Sequence, residues 1–349
     1  MAGTASKRIR LGKREIGENC PPYVIAEACI NHEGEIALAR RMVHIAYAMG
    51  ADAIKFQMHV LDDEMLHETP QSANFEETLY DALDRTNLSL DEHRELKLLC
   101  ETLGIDYLCT PFSAASADLV ERLDPIGFKV GSGELTNLPL QKHIAAKGRP
   151  MIVSTGMSTI EEIGETVDAL KATGVPFMLT HCVSIYPCPP SAVNLGNIPR
   201  YRELFGVPIG LSDHTSSIYT AIGAIALGAC AIEKHLTLDR LAPGPDHKSS
   251  IEPYELGELV KGCRAVFEAR GAERRIFAEE EQIVAWARES VVSVKPIVRG
   301  TRITADMISV KRPSPGPGAI PAKHLEEIVG RTAGADIARD RQLLWAQLT

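Results

Sequence analysis

Residues 23–57 read YVIAEACINHEGEIALARRMVHIAYAMGADAIKFQ, and their rhythm decides the fold. A short apolar run, Tyr23–Ala28, gives way to a helical pattern over Ile36–Met49, and a second short run, Ala53–Gln57, follows. Period separates the two kinds of element. The runs are brief and apolar, whereas the longer stretch repeats its apolar positions every three or four residues.

The same alternation continues outward from this unit. Further strands are predicted at Ile105–Cys109, Gly127–Val130, Met151–Ser154, Phe177–His181, Pro208–Leu211 and Cys230–His235, with helices at Ser113–Leu123, Ile160–Ala172, Ser217–Leu227 and Tyr254–Glu268. Eight strand–helix units over about 250 residues fit a closed (β/α)8 TIM barrel of the α/β class better than an open doubly wound sheet. The spacing from Gln57 to Ile105 is too long for one unit, so an extra loop is expected at Met58–Phe75, with room for one more helix. Long loops after barrel strands tend to face the substrate.

Ahead of the barrel, charged and apolar residues alternate over Arg8–Gly17 around Gly12-Lys13, the pattern of a small hairpin. The barrel domain is therefore assigned to residues 1–271 with a hairpin at 8–17. Residues 272–289 are strongly charged and read as a linker or a solvated helix. Residues 290–349, with strand-like Val291–Val294 and a Pro/Gly-rich run from Arg312 to Gly318, read as a compact, β-rich second domain. A unit of about 60 residues is marginal alone and is expected to pack on something.

Composition narrows the function. The chain has 349 residues, 45% hydrophobic and 24% charged, with a formal net charge of −9, as in an ordinary globular protein without the basic face that nucleic acid requires. The N-terminus is basic but lacks an apolar core for a secretory signal, and Ala221–Ile232 is too short to span a bilayer. Eight scattered cysteines without a C-x-x-C pair are expected to be free thiols in a reducing cytoplasm.

In a barrel the reacting groups gather where strands end. The polar residues at those ends are Glu27, Lys55 with Gln57, Thr110, Lys129 with Ser132, Ser154, His181, Ser212 with His214, and His235. Two lysines among short hydroxyls suit an anion carrying both phosphate and carboxylate, and Gly131-Ser132-Gly133 lets backbone N–H groups approach it. His214 and His235 end neighbouring strands and can share one metal ion in an open site. Glu27, Glu134 and Asp246 are the acidic candidates. Glu27 reads either as an acid–base carboxyl raised by apolar surroundings or as a salt-bridge partner of a lysine.

The stretches IAEACINHEG, ADAIKFQ, CTPFS, FKVGSGE, STGMS, HCVSIYP, GLSDHT, EKH and PGPDH run in order from Ile25 to His247. Together they resemble the sialic acid synthase family, which comprises the N-acetylneuraminate, legionaminate and pseudaminate synthases. The segment SVKPIVRGTRITADMISVKRP, residues 293–313, is similar to the antifreeze-like (SAF) domain appended to those enzymes. The resemblance implies condensation of phosphoenolpyruvate with N-acetylmannosamine or a related 2-acetamido or 2,4-diacetamido hexose, with release of phosphate. It implies a divalent metal, usually Mn²⁺ with Mg²⁺ or Co²⁺ as alternatives, at the positions of His214 and His235. Phosphoenolpyruvate would meet Lys55, Thr110, Lys129, Ser132, Ser154 and Ser212. Glu27 matches the catalytic carboxylate, counted with Lys55, Lys129 and Asp246, while Gln57, Asn74, Tyr186 and Asp246 match amino-sugar contacts. The resemblance also implies a domain-swapped homodimer in which Arg312 reaches the partner's active site.

Two departures lie near the sugar: Ser184 stands where Asn is frequent, and Met58 follows Gln57 where Thr is common. The Asp62-Asp63-Glu64-Met65 segment points to the neuraminate/legionaminate branch. Two other readings compete: an aldol synthase joining phosphoenolpyruvate to a phosphorylated sugar, and a non-catalytic sugar-binding barrel. The first needs another basic cluster, which Met58–Phe75 does not supply, and the second should have lost some of the charged set that is present here.

Overall fold

The structure, a computed structural model, describes residues 8–69 and 77–349. It divides into two compact units that part between Gly271 and Ala272. The first unit begins with an antiparallel hairpin of β1 (Arg8–Leu11) and β2 (Arg14–Gly17), paired Leu11 with Arg14. Gly12 turns it with a φ of +56°, a conformation that glycine adopts without a Cβ penalty.

Eight parallel strands follow: β3 (Tyr23–Glu27), β4 (Ala53–Met58), β5 (Asp106–Pro111), β6 (Phe128–Val130), β7 (Met151–Ser154), β8 (Phe177–Cys182), β9 (Ile209–Asp213) and β10 (Ala231–His235). They are ordered β5-β4-β3-β10-β9-β8-β7-β6, and β5 lies against β6, which closes the TIM-type barrel. Strand β7 has the bounds expected from the sequence, and the others begin or end a residue or two away from theirs. Pro208 has no N–H to give a ladder, so β9 starts at Ile209 and runs on to Asp213.

The helices of this unit are α1 (Ile36–Ala48), α2 (Leu61–Glu64), α3 (Leu79–Thr86), α4 (Leu90–Leu103), α5 (Ala114–Glu121), α6 (Leu138–Ala145), α7 (Ile160–Thr173), α8 (Asn197–Phe205), α9 (Tyr219–Ala226) and α10 (Pro253–Ala269). The long gap before β5 thus holds α2 and α3 as well as the barrel's own α4, while part of the expected Met58–Phe75 loop lies outside the described residues. Helix α4 starts in a capping box between Ser89 and Glu92 and stops at Gly104, whose φ is +84°.

Two apolar layers hold the barrel. Outward-facing strand residues such as Val24, Ile54, Phe56 and Val153 pack against the helices. Inside, near the strand starts, Tyr23, Ile25, Ala53, Leu108, Ile152, Met178 and Ala231 meet Ile9, Leu11 and Ile16 of the hairpin, which covers that end. Gly127 is required by this closure, because a Cβ there would come within 2.4 Å of Leu11 Cδ1 and 2.8 Å of the Pro150 carbonyl. Buried Asp52 accepts the Val24 N–H at 2.8 Å and pairs with Arg14, tying the hairpin to the barrel.

The second unit has its own core of Val291, Ile297, Ile303, Ile308, Ile320, Ile328, Ile337 and Leu343. It contains α11 (Ala278–Ala287), the short pair β11 (Ser290–Ser293) and β12 (Ile308–Lys311), and α12 (Leu325–Ile328). Arg312 lies here, its guanidinium 5.5 Å from the centre of the Trp286 ring.

Candidate active site

Register brings the charged residues together at the strand ends. His235 of β10 pairs with Glu27 of β3, which pairs with Lys55 of β4, so imidazole, carboxylate and ammonium form one rung. They line a cavity of about 650 Å³ with Gln57, Thr110, Lys129, Ser132, Ser154, Tyr186, Ser212, His214, Glu233 and Asp246. Thirteen of the sequence candidates thus gather in one place (Glu27, Lys55, Gln57, Thr110, Lys129, Ser132, Ser154, Tyr186, Ser212, His214, His235, Asp246 and also Glu134). Asn74 lies outside the described residues, and Arg312 belongs to the second unit.

The anion half is buried. Lys55 is ion-paired with Glu27, donates to Thr110 Oγ1 at 2.9 Å and stands 3.7 Å from Glu233 Oε1. Lys129 donates to Ser154 Oγ at 2.7 Å and lies 3.5 Å from the same Glu233 oxygen, which also accepts from Ser212 at 3.3 Å. The two lysines therefore share one carboxylate. Burial pushes the Glu27 carboxyl up despite Lys55 beside it, whereas Lys129 and Lys55 overcome burial at Glu233 and hold it down. Of the two carboxyls Glu233 is the one held anionic, and Glu27, the partner of Lys55, is the one that takes up a proton first as the pH falls toward about 7. Burial lowers Lys129, while at Lys55 the carboxylates outweigh burial and raise it.

Opposite lies an imidazole pair whose ring centres are 5.3 Å apart. His214 Nδ1 is 2.9 Å from the Val183 carbonyl, a contact that makes Nδ1 the donor and leaves Nε2 as the nitrogen that could meet a metal. Burial, then His214, drives His235 well below its ordinary range, so it is neutral, the form that binds metals. Its Nδ1 is buried without a hydrogen-bond partner, 3.8 Å from Asp246 Oδ2. Tyr186 packs over both rings, at 4.1 Å from His214 and 5.8 Å from His235. This donor set fits a divalent ion.

Sequence reasoning missed five contributors. Glu233 bridges the lysines, and strand alternation puts it on the same face as His235. Cys29, Cys182 and the His59–Glu64 pair also line the cavity. A scattered cysteine and a loop histidine carry no local pattern that marks them. Glu134 lies there too, its carboxyl pushed up to about 7 by burial and by Glu64. His181 is the reverse case: it is buried on the outer face, with Nε2 2.6 Å from the Val193 carbonyl, because its neighbours Thr180 and Cys182 take the inward positions. Gly131-Ser132-Gly133 approaches the cavity as expected, but Glu134 occupies the space beside Gly131. At Gly156 a Cβ would collide with the hydroxyls of Ser184 and Ser132, at 2.3 and 2.7 Å, so only glycine leaves both in the cavity wall.

A family model described as the NeuB family matches residues 42–275, and one described as the SAF domain matches residues 288–349. The chain is 36% identical to a protein of Campylobacter jejuni named N,N'-diacetyllegionaminic acid synthase, over 91% of this chain and 97% of that one. It is 33% identical to the human protein named N-acetylneuraminate-9-phosphate synthase, over 95% and 94% respectively. Among solved structures, the N-acetylneuraminic acid synthetase of Leptospira borgpetersenii superposes with a TM-score of 0.73 at 32% identity, covering 81% of this chain and 96% of that one.

Proposed function

Because the chain belongs to the NeuB family and ends in a SAF domain, we propose that it condenses phosphoenolpyruvate with N-acetylmannosamine or a related 2-acetamido or 2,4-diacetamido hexose, giving a nonulosonic acid and phosphate. The observation that carries the reading is the pair of buried ammonium groups, Lys55 and Lys129, joined through Glu233 and ringed by Thr110, Ser154 and Ser212. A ligand with two anionic groups on three carbons matches two lysines and four hydroxyls better than a sugar does. The neighbouring Ser132 hydroxyl, held by the Gly156 N–H at 3.1 Å, completes that set.

In this reaction C3 of phosphoenolpyruvate adds to the carbonyl carbon of the open-chain sugar, water adds at C2, and phosphate leaves with the C2–O bond. His214 and His235 would hold the divalent ion, Mn²⁺ by family resemblance, which when bound supplies Lewis-acid polarisation of the sugar carbonyl. Lys55 and Lys129 would orient phosphate and carboxylate and balance their charge. Glu27, a buried carboxyl raised by its surroundings, would take the proton from the water that adds at C2. Gln57, Tyr186 and Asp246 line the less buried part of the cavity, where they would meet the sugar with Asn74.

An unphosphorylated sugar suits a cavity whose lining, among the described residues, carries Lys55 and Lys129 as its lysines and no arginine for a second phosphate. The proposal includes a homodimer in which Arg312 completes the partner's site. Helix α11 supports this, since it buries no side chain and leaves Ile283 and Trp286 exposed for another chain to cover.

The test is phosphate release from phosphoenolpyruvate with Mn²⁺ present, across N-acetylmannosamine, its 6-phosphate, the 2,4-diacetamido-6-deoxy analogue and arabinose 5-phosphate. Release with the unphosphorylated amino sugars alone is expected. Release only with a sugar phosphate, or with none, overturns the reading.

A further inference from the structure

The metal half of the cavity contains a thiol. The ligand atoms of Cys29, His235 and Asp246 all lie within 4.8 Å of one another, close to the roughly 3.5 Å that separates donors around a four-coordinate ion. His235 contributes a buried Nδ1 with no hydrogen-bond partner, aimed at this same point. A buried nitrogen left without a partner costs free energy, and a bound cation would remove that cost.

The thiol is placed there by the backbone. Strand β3 ends at Glu27, and the chain turns at once, with the Asn31 N–H bonded to the Ala28 carbonyl at 3.0 Å. Asn31 fixes the turn by donating to the Leu236 carbonyl and to Ser250 Oγ, each at 2.9 Å. Within it Cys29 has a φ of +46°, which few residues other than glycine adopt. The side chain thus leaves the turn toward the cavity, where Gln57 Nε2 donates to Sγ at 3.0 Å.

We propose that Cys29 is a thiolate ligand of the metal ion, so that the site is Cys29, His235 and Asp246 with His214 alongside. On binding, the thiol gives its proton to solvent and a sulfur–metal bond forms, without any change of oxidation state. A sulfur donor shifts preference away from the hard cations Mg²⁺ and Mn²⁺ toward Zn²⁺ and Co²⁺. The selectivity of this chain then differs from the Mn²⁺ implied by family resemblance, through one residue at the end of the first barrel strand. The inference rests on reading the cavity as a metal site, and its test needs neither phosphoenolpyruvate nor sugar.

The full-length chain, kept reduced and stripped of metal, is titrated with Co²⁺ alone. The wild type is expected to develop a near-ultraviolet thiolate-to-cobalt charge-transfer band that saturates at one equivalent. Cys29→Ser and Cys29→Gly should both lose it, and Cys182→Ser, which alters the other cavity thiol, should keep it. Glycine is the safer variant for folding, since it accepts the positive φ without strain. In competition experiments Cys29→Ser should weaken Zn²⁺ by more than the roughly 10–100-fold typical of losing an outer-shell partner, while Mg²⁺ binding stays near the wild-type value. A cobalt complex without the band, or a band that survives in both Cys29 variants, overturns the proposal. Wild-type condensation without the band would remove the thiolate and leave the proposed reaction standing; a band without condensation would do the converse.

Discussion

At the scale of single residues, Lys129 and Lys234 show how similar side chains on adjacent layers of the barrel do different work. Lys129 faces the cavity beside Glu233. If it holds the phosphoenolpyruvate anion, Lys129→Met lowers kcat/KM for that substrate by about 10³-fold, or roughly 4 kcal/mol, in steady-state phosphate release. Lys234 faces outward, fully buried, 2.9 Å from Asp213 Oδ2. Removing one partner of a buried ion pair costs about 3–5 kcal/mol, so Lys234→Met should show that loss in denaturant unfolding. The double variant with Asp213→Leu should recover part of it, because no lone charge remains. Much of the site was legible at this scale because strand alternation fixes which face each residue takes. The same rule identifies Glu233 and excludes His181, but it must be applied residue by residue rather than to strand ends as a group. Cys29 was not legible, since its position depends on a turn held by Asn31 and on partners about 200 residues away.

At the scale of elements, the hairpin is the informative case. Its charged and apolar alternation was visible, but its task was not, because that task appears only once eight strand starts converge beneath it. Leu11 is fully buried there, so Leu11→Ala should destabilise the barrel by about 2–5 kcal/mol, read as a lowered midpoint in urea unfolding. In the long gap after β4, where a loop and one more helix were expected, α4 has its start marked by Ser89 and Glu92 and its end by Gly104, with α2 and α3 ahead of it. Strand boundaries moved by a residue or two, as hydrogen bonding rather than apolar content decides where a ladder stops.

At the scale of the whole molecule, the count of alternating elements was enough to name the barrel, since few architectures absorb eight such units in one layer. Which residues come from another chain is a different question, because a single sequence holds no record of its neighbours. The proposed dimer makes two measurable claims. Light scattering should give twice the mass of the 38.0 kDa chain. Truncation after Arg288 should leave a cooperatively unfolding barrel that binds phosphoenolpyruvate in calorimetry yet turns over the amino sugar at least about tenfold more slowly, given the typical cost of losing one positioning group.

The hairpin beneath the barrel has a kinetic consequence. With that end sealed, the cavity is a blind-ended well, and its deepest groups, Lys55 and Lys129, are about 3% exposed. Whatever docks on them must descend before the more accessible zone at Tyr186 and Asp246 is filled, and must climb out after that zone has emptied. If phosphoenolpyruvate is what docks on these lysines, as proposed, the expected order is phosphoenolpyruvate first to bind and orthophosphate last to depart. An unreactive sugar mimic should act uncompetitively toward phosphoenolpyruvate, and a noncompetitive pattern would point to a second way in.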